Sequence, residues 1–394
     1  MQLGRTIQFV LSKARFLGSE SEFTTLHRLI KPGDVVRAQG FVGKTNSGEL
    51  SLFLTSLKLL APCLHDLPFK SGLRGSEKRF RNRHVDFLVN DTPARVLLVR
   101  SKVLHFIRNY LNARNFIEVE TPILSTEVGG ANAQPFVTRS TAMGDLDLYL
   151  RIAPELFLKV ATQQHYRISL PFLSRHADQK LVIGGVERVY EIGKQFRNEG
   201  VDADHNPEFT TCEFYQAYTN LEGLMSTTEE MMQDAAEKLL NICNASGAPP
   251  VQEPINVPRI LDHLISTFIE PECVQPTFLV NHPAIMCPLA KTIDPEGQIS
   301  GRFELFVNTK EIVNAYEELN DPDEQRRRFM VQLKDRLSGD AEVPVPDDEF
   351  CDALEFGLPP TGGWGMGIDR VVALLAGVKH LRETIAFPIM RPHA

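Results

Sequence analysis

The run "VYEIGKQFRNEGVDADHNPEFTTCEFYQAY", Val189–Tyr218, contains two β-type stretches around a polar loop. Side chains alternate with period 2 along a strand, so the run reads as a long antiparallel hairpin. Gly193, Gln195 and Arg197 share one face of the first strand, and Phe209, Thr211, Glu213 and Tyr215 share one of the second. If the two faces coincide, a single sheet surface presents an arginine, a glutamate, a phenol and a phenyl ring. A guanidinium suits a phosphate, an aromatic ring suits a purine, and carboxylates suit an ammonium or a metal. Taken singly, each is equally an ordinary salt bridge or core aromatic.

Two further segments extend the pattern. In "RFELFVNTKEIVNAYEEL", Arg302–Leu319, Glu304 and Glu311 flank a tight turn at Asn308–Lys310, and Asn314, Tyr316 and Glu318 alternate on the returning strand. Two carboxylates meeting over a nucleotide suit magnesium ions that bridge its phosphates. "GWGMGIDR", Gly363–Arg370, reads as a strand of alternating glycines that runs into a helix. It lacks the βαβ surroundings of a dinucleotide fingerprint. Its bare strand face would let a ligand lie against the backbone.

Upstream, Val96, Val99, Val103, Phe106, Ile107 and Tyr110 recur at helical spacing and predict an amphipathic helix, followed by a strand that stops at Pro122. Residues 221–245 and 259–269 also read as helices. From Thr6 to Leu60, short β-rich runs with glycine-containing turns suggest a small β-barrel or part of one.

The 394-residue chain is 43% hydrophobic, ordinary for a soluble protein with a sizeable core. No apolar run approaches the roughly 20 residues a membrane-spanning helix needs, so no membrane partner is expected. The six cysteines are scattered without a CxxC pair, which argues against a zinc knuckle or disulfide framework and for a reducing compartment. The net charge is −8, but residues 1–110 carry 18 Lys and Arg against 8 Asp and Glu, while the remainder carries 24 against 42. A basic N-terminal portion on an acidic body could hold a polyanion whatever the global sign. The first 19 residues include Arg5, Lys13 and Arg15 and no acid, which has the flavour of an organellar leader; the same stretch also reads as a strand and turn.

In this order the segments resemble the three signature motifs of class II aminoacyl-tRNA synthetases, with motif one at 95–122, motif two at 186–218 and motif three at 362–377. Within that class, "RIAPELFLK", the "RNEG" and "HNPEF" elements of the motif two loop, and "ELND" are similar to the lysyl members of subclass IIb. The resemblance implies an α+β fold: an antiparallel sheet flanked by helices at 93–394, preceded by a linker at 66–92 and a partial OB-fold at 1–65. It implies ATP as substrate, Mg2+, L-lysine, tRNA(Lys) and a homodimer through motif one.

Residue by residue, the resemblance puts Arg197 on the α-phosphate and the lysine carboxylate, and Asn198, Glu199, His205 and Asn206 in the loop around ATP. Phe209 would stack on adenine with Arg370 on its other face, and Ile312, Gly367, Ile368 and Asp369 would complete the nucleotide site. Glu304 and Glu311 would hold magnesium. Gly130, Glu155 and Glu213 would surround the α-amino group, and Tyr215, Asn314 and Glu318 would read the ε-ammonium. A site built for aspartate would need cations at that end, and the segment around Glu318 supplies none. The aspartyl and asparaginyl relatives, which typically carry Glu where this chain has Asp369, are the nearest alternative. A paralogue with a non-tRNA acceptor, or an RNA-binding scaffold, is the alternative of another kind.

Two departures from the family stand out. The chain begins inside the OB-fold, near Thr6, so the early strands that carry anticodon contacts are missing. The segment Val160–Lys180 has no counterpart in the family and reads as a surface loop or as translated intron sequence. The compartment is expected to be the mitochondrial matrix or the cytoplasm, with the basic start and the segment from Asn314 to Phe329 leaning towards the mitochondrion.

Overall fold

The computed structural model describes residues 7–126, 133–159, 182–239, 265–266, 269–337 and 347–390. Two compact units divide the chain, one comprising 1–97 with 386–394 and the other 98–385. The expected helix at 259–269 lies mostly outside the described residues, as do Gly130 and the segment 160–180.

The first unit is built on a three-stranded sheet of β1 (Gln8–Leu11), β2 (Val35–Lys44) and β3 (Leu50–Ala61), in the order β1-β3-β2. β2 and β3 form an antiparallel hairpin, while β1 runs parallel to β3, an arrangement consistent with a partial OB-fold. Helix α1 (Glu20–Leu29) begins at a capping box in which Ser19 accepts from the Glu22 amide and Glu22 accepts from the Ser19 amide. The expected linker contains two short helices, α2 (Ser76–Arg81) and α3 (Arg83–Val89), whose polar centre is Asp86, paired with Arg79 and Arg83.

The long helix α4 (Asp91–Asn112) runs on into the second unit. Of the residues whose spacing predicts the apolar stripe, Val96, Val103, Ile107 and Tyr110 are buried and Val99 and Phe106 half-buried. Next come four short strands, β4 (Ile117–Glu118), β5 (Leu124–Ser125), β6 (Val137–Ser140) and β7 (Leu146–Leu150), and the one-turn helix α5 (Glu155–Lys159). The hairpin read from the sequence is β8 (Arg188–Phe196) and β9 (Glu208–Ala217), antiparallel with Gln195 opposite Phe209 and Glu191 opposite Glu213. Helix α6 (Leu221–Leu239) follows, then β10 (Thr277–Val280), β11 (Arg302–Val307) and β12 (Lys310–Glu317). Helices α7 (Pro322–Leu337) and α8 (Asp348–Leu354) precede β13 (Thr361–Gly367), which leads directly into α9 (Ile368–Ala376).

The central sheet has the order β10-β11-β12-β13-β9-β8-β4 and is antiparallel except where β4 joins β8. Its back is apolar. Phe214 stacks on Trp364 at 4.7 Å and meets Phe116 edge to face at 4.9 Å, and the Trp364 indole donates to Thr228 of α6. The opposite face carries the polar residues.

Candidate active site

Sheet register decides which residues meet. One row across the sheet is Glu304, Asn314, Gly365, Glu213 and Glu191; the next is Arg302, Tyr316, Gly363, Tyr215 and Val189. Segments far apart in sequence therefore deliver their alternate residues to one surface. Seven positions separate Glu304 from Glu311, an odd number that a two-residue hairpin brings to one face, because Phe306 lies opposite Glu311 and two positions from Glu304. Here Asn308 and Thr309 both take positive φ, closing a two-residue turn of the mirror-image kind that suits strand twist. A register shift between Leu305 and Phe306 then admits one extra residue in β12. Asn314 and Tyr316 thereby join Glu311 on the face of Arg302 and Glu304.

At one end of the face, the Arg197 guanidinium lies 5.1 Å from the Phe209 ring centroid. Its buried Nε has no hydrogen-bond partner among the described residues. Burial lowers its pKa, against the pull of Glu199, Glu213 and Glu311. An arginine in this state is primed for an anionic ligand. Arg370, in the first turn of α9, donates to the Glu311 carboxylate at 2.7 Å and to its carbonyl at 3.0 Å.

Glu304 accepts from Arg302 and faces His282 Nε2 at 3.2 Å. Burial pushes its carboxyl up, but Arg302 and His282 outweigh that and hold it below the usual carboxylate range. Arg302 also donates to Asn314 Oδ1 at 3.0 Å.

The loop between β8 and β9 is fastened at several points. His205 pairs with Asp202 at 2.9 Å, Lys310 reaches Asp204 at 2.8 Å, and the Asn206 amide donates to the Glu208 carbonyl, while its buried Oδ1 has no partner among the described residues. Asn198 and Glu199 are exposed at its start. Gly367 caps α9, and Ile312 and Ile368 are buried beneath the face. Asp369 is buried too, and its carboxylate is engaged by Arg100, the Thr210 amide and the Thr384 hydroxyl. That engagement locks α9 against α4 and β9.

The other end holds a cluster of carboxylates and phenols. Glu318, immediately after β12, is 1% exposed, and Glu155 on α5 is 6% exposed. Tyr316 donates to Glu155 Oε1 at 2.5 Å. The Tyr215 and Tyr316 hydroxyls have strongly raised pKa values, first through burial and then through Glu155 and Glu318. Enclosure pushes the Glu213 carboxyl up to about 8, with Glu155 adding to the effect. Burial pushes Glu318 up to about 8 against the opposing influence of Lys159.

Lys159 is the residue that sequence reasoning missed. It is 1% exposed, and its ammonium is paired with Glu155 and lies 2.5 Å from Glu318. The segment around Glu318 supplies no cation, but a distant one does. The i, i+4 spacing of Glu155 and Lys159 on a helix was a readable signal for their pairing, though not for Glu318.

Gly363 explains part of the packing. A Cβ there would come within 2.0 Å of Glu318 Oε1 and 2.7 Å of Tyr215 Cε1. Its bare face is filled by the protein's own site residues, whereas a Cβ at Gly365 would meet only ordinary contacts, with Glu213 Cγ nearest at 3.5 Å.

Residues 75–391 match the family of class II tRNA synthetases for D, K and N. The chain belongs to the class II tRNA synthetases. Among similar proteins, the lysine–tRNA ligase cla4 of Cladosporium cladosporioides is 40% identical, covering 95% of this chain and 70% of the relative. A probable cytoplasmic lysine–tRNA ligase of Encephalitozoon cuniculi is also 40% identical, with 93% and 79% coverage. The mitochondrial lysine–tRNA ligase of Schizosaccharomyces pombe is 39% identical, with 98% and 79% coverage. The antiparallel sheet flanked by helices is the expected synthetase architecture.

Proposed function

We propose that this synthetase is a lysine–tRNA ligase that joins lysine to the 3′ end of tRNA(Lys) through a lysyl-adenylate. The observation that carries the reading is the charge of the amino-acid end. Glu155, Glu213 and Glu318 stand there against the single ammonium of Lys159, so with all three ionised, the form an arriving ammonium favours, the site is short of positive charge by the two ammonium groups of free lysine. A neutral or acidic amino acid would leave enclosed carboxylates unpaired, which costs on the order of 1–3 kcal/mol or more per group. This disfavours the aspartyl and asparaginyl alternatives.

In the first step the lysine carboxylate attacks the α-phosphorus of ATP and pyrophosphate leaves. Arg197 meets the α-phosphate and the attacking carboxylate, and Arg370 adds a second cation for the phosphates. Phe209 offers a ring for adenine, and Asn198, Glu199, His205 and Asn206 surround the nucleotide. Glu213 and Glu155, with Gly130, receive the α-ammonium, while Tyr215, Asn314 and Glu318 receive the ε-ammonium. No side chain acts as nucleophile or base, so the residues work by orientation and charge. In the second step a terminal ribose hydroxyl of tRNA attacks the lysyl carbonyl carbon and AMP leaves.

Two carboxylates on one face fit Mg2+, which keeps waters and is bound by one or two carboxylates together with phosphates. Glu304 and Glu311 would hold it, and when bound it neutralises phosphate charge. Both carboxylates are paired with arginines, so nucleotide and metal would enter by exchanging those partners.

The domain reading assigns catalysis to 93–394 and anticodon contact to the partial barrel at 1–65, joined by 66–92. Dimerisation through motif one is supported by exposed apolar side chains beside it, at Leu98, Ile117, Ile123 and Leu124. The mitochondrial location rests on the basic start. Because Gln8–Leu11 form a strand, a fluorescent fusion that tests the location must carry the whole chain.

Pyrophosphate exchange with ATP, Mg2+ and each amino acid tests the central claim. Exchange with lysine alone is expected. Exchange with aspartate or asparagine, or none at all, would refute it.

A further inference from the structure

Lysine is almost never fully buried unless it is paired. Lys159 is buried with two partners and three aromatic neighbours, its ammonium lying 5.5 Å from the Tyr316 ring centroid, 5.8 Å from Phe350 and 5.9 Å from Tyr215. Its position is determined on every side. One turn of α5 sets it beside Glu155, Tyr316 pins Glu155 from β12, and the ammonium takes Oε2 of Glu318.

Both Glu318 oxygens are buried without a hydrogen-bond partner among the described residues; Oε2 is met by the Lys159 ammonium, whereas Oε1 rests over the bare backbone of Gly363 beside Tyr215. An orphaned acceptor of this kind is costly unless a ligand satisfies it.

We propose that Lys159 is a positioning residue for amino-acid specificity: it holds Oε2 of Glu318 so that Oε1 is aimed at the substrate's side-chain ammonium. The role rests on the lysine reading above. Once ionised, Glu155 and Glu318 together carry two negative charges and Lys159 cancels one, so this end accepts one further ammonium, whose arrival favours that ionised form. A neutral side chain leaves the charge unmatched, and a dicationic one overfills it. The groups facing Glu318 are Glu155 and Lys159 from α5, Glu213 and Tyr215 from β9, and Tyr316 from β12.

The test compares the full-length wild type with Lys159→Met and Lys159→Arg by lysine-dependent pyrophosphate exchange between pH 6.5 and 9, with thermal melting of each. Lys159→Met is expected to raise the lysine KM about tenfold or more at pH 7. The penalty should shrink towards pH 9, because Glu318 without its ammonium neighbour keeps a proton to higher pH. The ATP KM and kcat should stay within about threefold, and Lys159→Arg, which retains the cation on a larger planar fork, should raise the lysine KM less than Lys159→Met at pH 7 and keep the wild-type pH profile.

An unchanged lysine KM in Lys159→Met overturns the role. So does a rise that is equal at all pH values and matched by the ATP KM. If Lys159→Met does not fold, a folded Lys159→Arg whose lysine KM rises tenfold overturns it, and one with a smaller rise and the wild-type pH profile supports it. Absence of lysine-dependent exchange in the wild type overturns the lysine reading itself, a result distinct from any difference among the variants.

Discussion

Arg370 grips Glu311 at two points, its Nη1 donating 2.7 Å to the carboxylate and 3.0 Å to the carbonyl, which ties the first turn of α9 to β12. On the proposed reading, a cation that would meet phosphates and a carboxylate that would hold a metal neutralise each other. Nucleotide entry must part them, so both the loss of the cation and the loss of the carboxylate should be felt at ATP. Arg370→Ala is expected to lower kcat/KM for ATP about 10²–10³-fold in pyrophosphate exchange. Lysine binding without ATP, followed by equilibrium dialysis, should change less than about twofold, since Arg370 lies at the other end of the face. A loss of lysine binding as large as the loss at ATP would contradict that division.

Glu318→Gln keeps the shape of the pocket and removes its charge. The lysine KM should rise by about tenfold to several hundred-fold, as expected when a buried charged partner is lost. The ATP KM should be unaffected. A variant with an unaltered lysine KM would show that the side-chain ammonium is read elsewhere.

The hairpin, the second carboxylate hairpin and the glycine strand were legible because period-2 alternation is strong in each and the turn residues stand between the runs. Parity gives the set on each strand, Gln195 and Arg197 on one and Phe209, Glu213 and Tyr215 on the other, whereas their coincidence is set by the register that puts Gln195 opposite Phe209. The sheet order was not legible: nothing in the local pattern places β13 between β12 and β9, and hence Gly363 beneath Glu318. The extra residue in β12 was equally hidden, because a register shift depends on both strands. Lys159 was overlooked for the same reason. Its i, i+4 partner is local, but its second partner lies 159 positions away and meets it only through tertiary packing.

Glu213 and Glu318 are both pushed up to about 8, by burial first and by neighbouring carboxylates next, with Arg197 and Lys159 respectively opposing. Their pKa values lie above the usual carboxylate range, so in the empty pocket they hold protons below about pH 8 and lose them above it. An arriving ammonium favours the ionised form, so lysine binding below pH 8 must release protons. Lysine affinity should therefore rise with pH from 6 to 8 and level off near 8. Titration calorimetry at pH 7 in buffers of different ionisation heat should report proton release. A flat affinity between pH 6 and 8, with no proton release, would mean that both carboxylates are already ionised in the empty pocket.

Gly363 and Gly365 lie two positions apart on β13 and face the same surface, yet substitution should affect them differently. A Cβ at Gly363 would sit 2.0 Å from Glu318 Oε1, closer than any real contact, so Gly363→Ala must move the Glu318 carboxylate or the strand. Overpacking of this kind costs about 1–3 kcal/mol. Because the displaced atom is the orphaned acceptor, the lysine KM should rise together with a fall in Tm. At Gly365 the nearest atom to a new Cβ is Glu213 Cγ at 3.5 Å, an ordinary contact, so Gly365→Ala should fold with nearly unchanged Tm. Its methyl would still project from the bare strand face on which a ligand is to lie, so adenylate formation should fall while stability holds. Melting curves and exchange assays on the two variants separate these outcomes. Equal losses of stability would mean that both glycines serve packing alone.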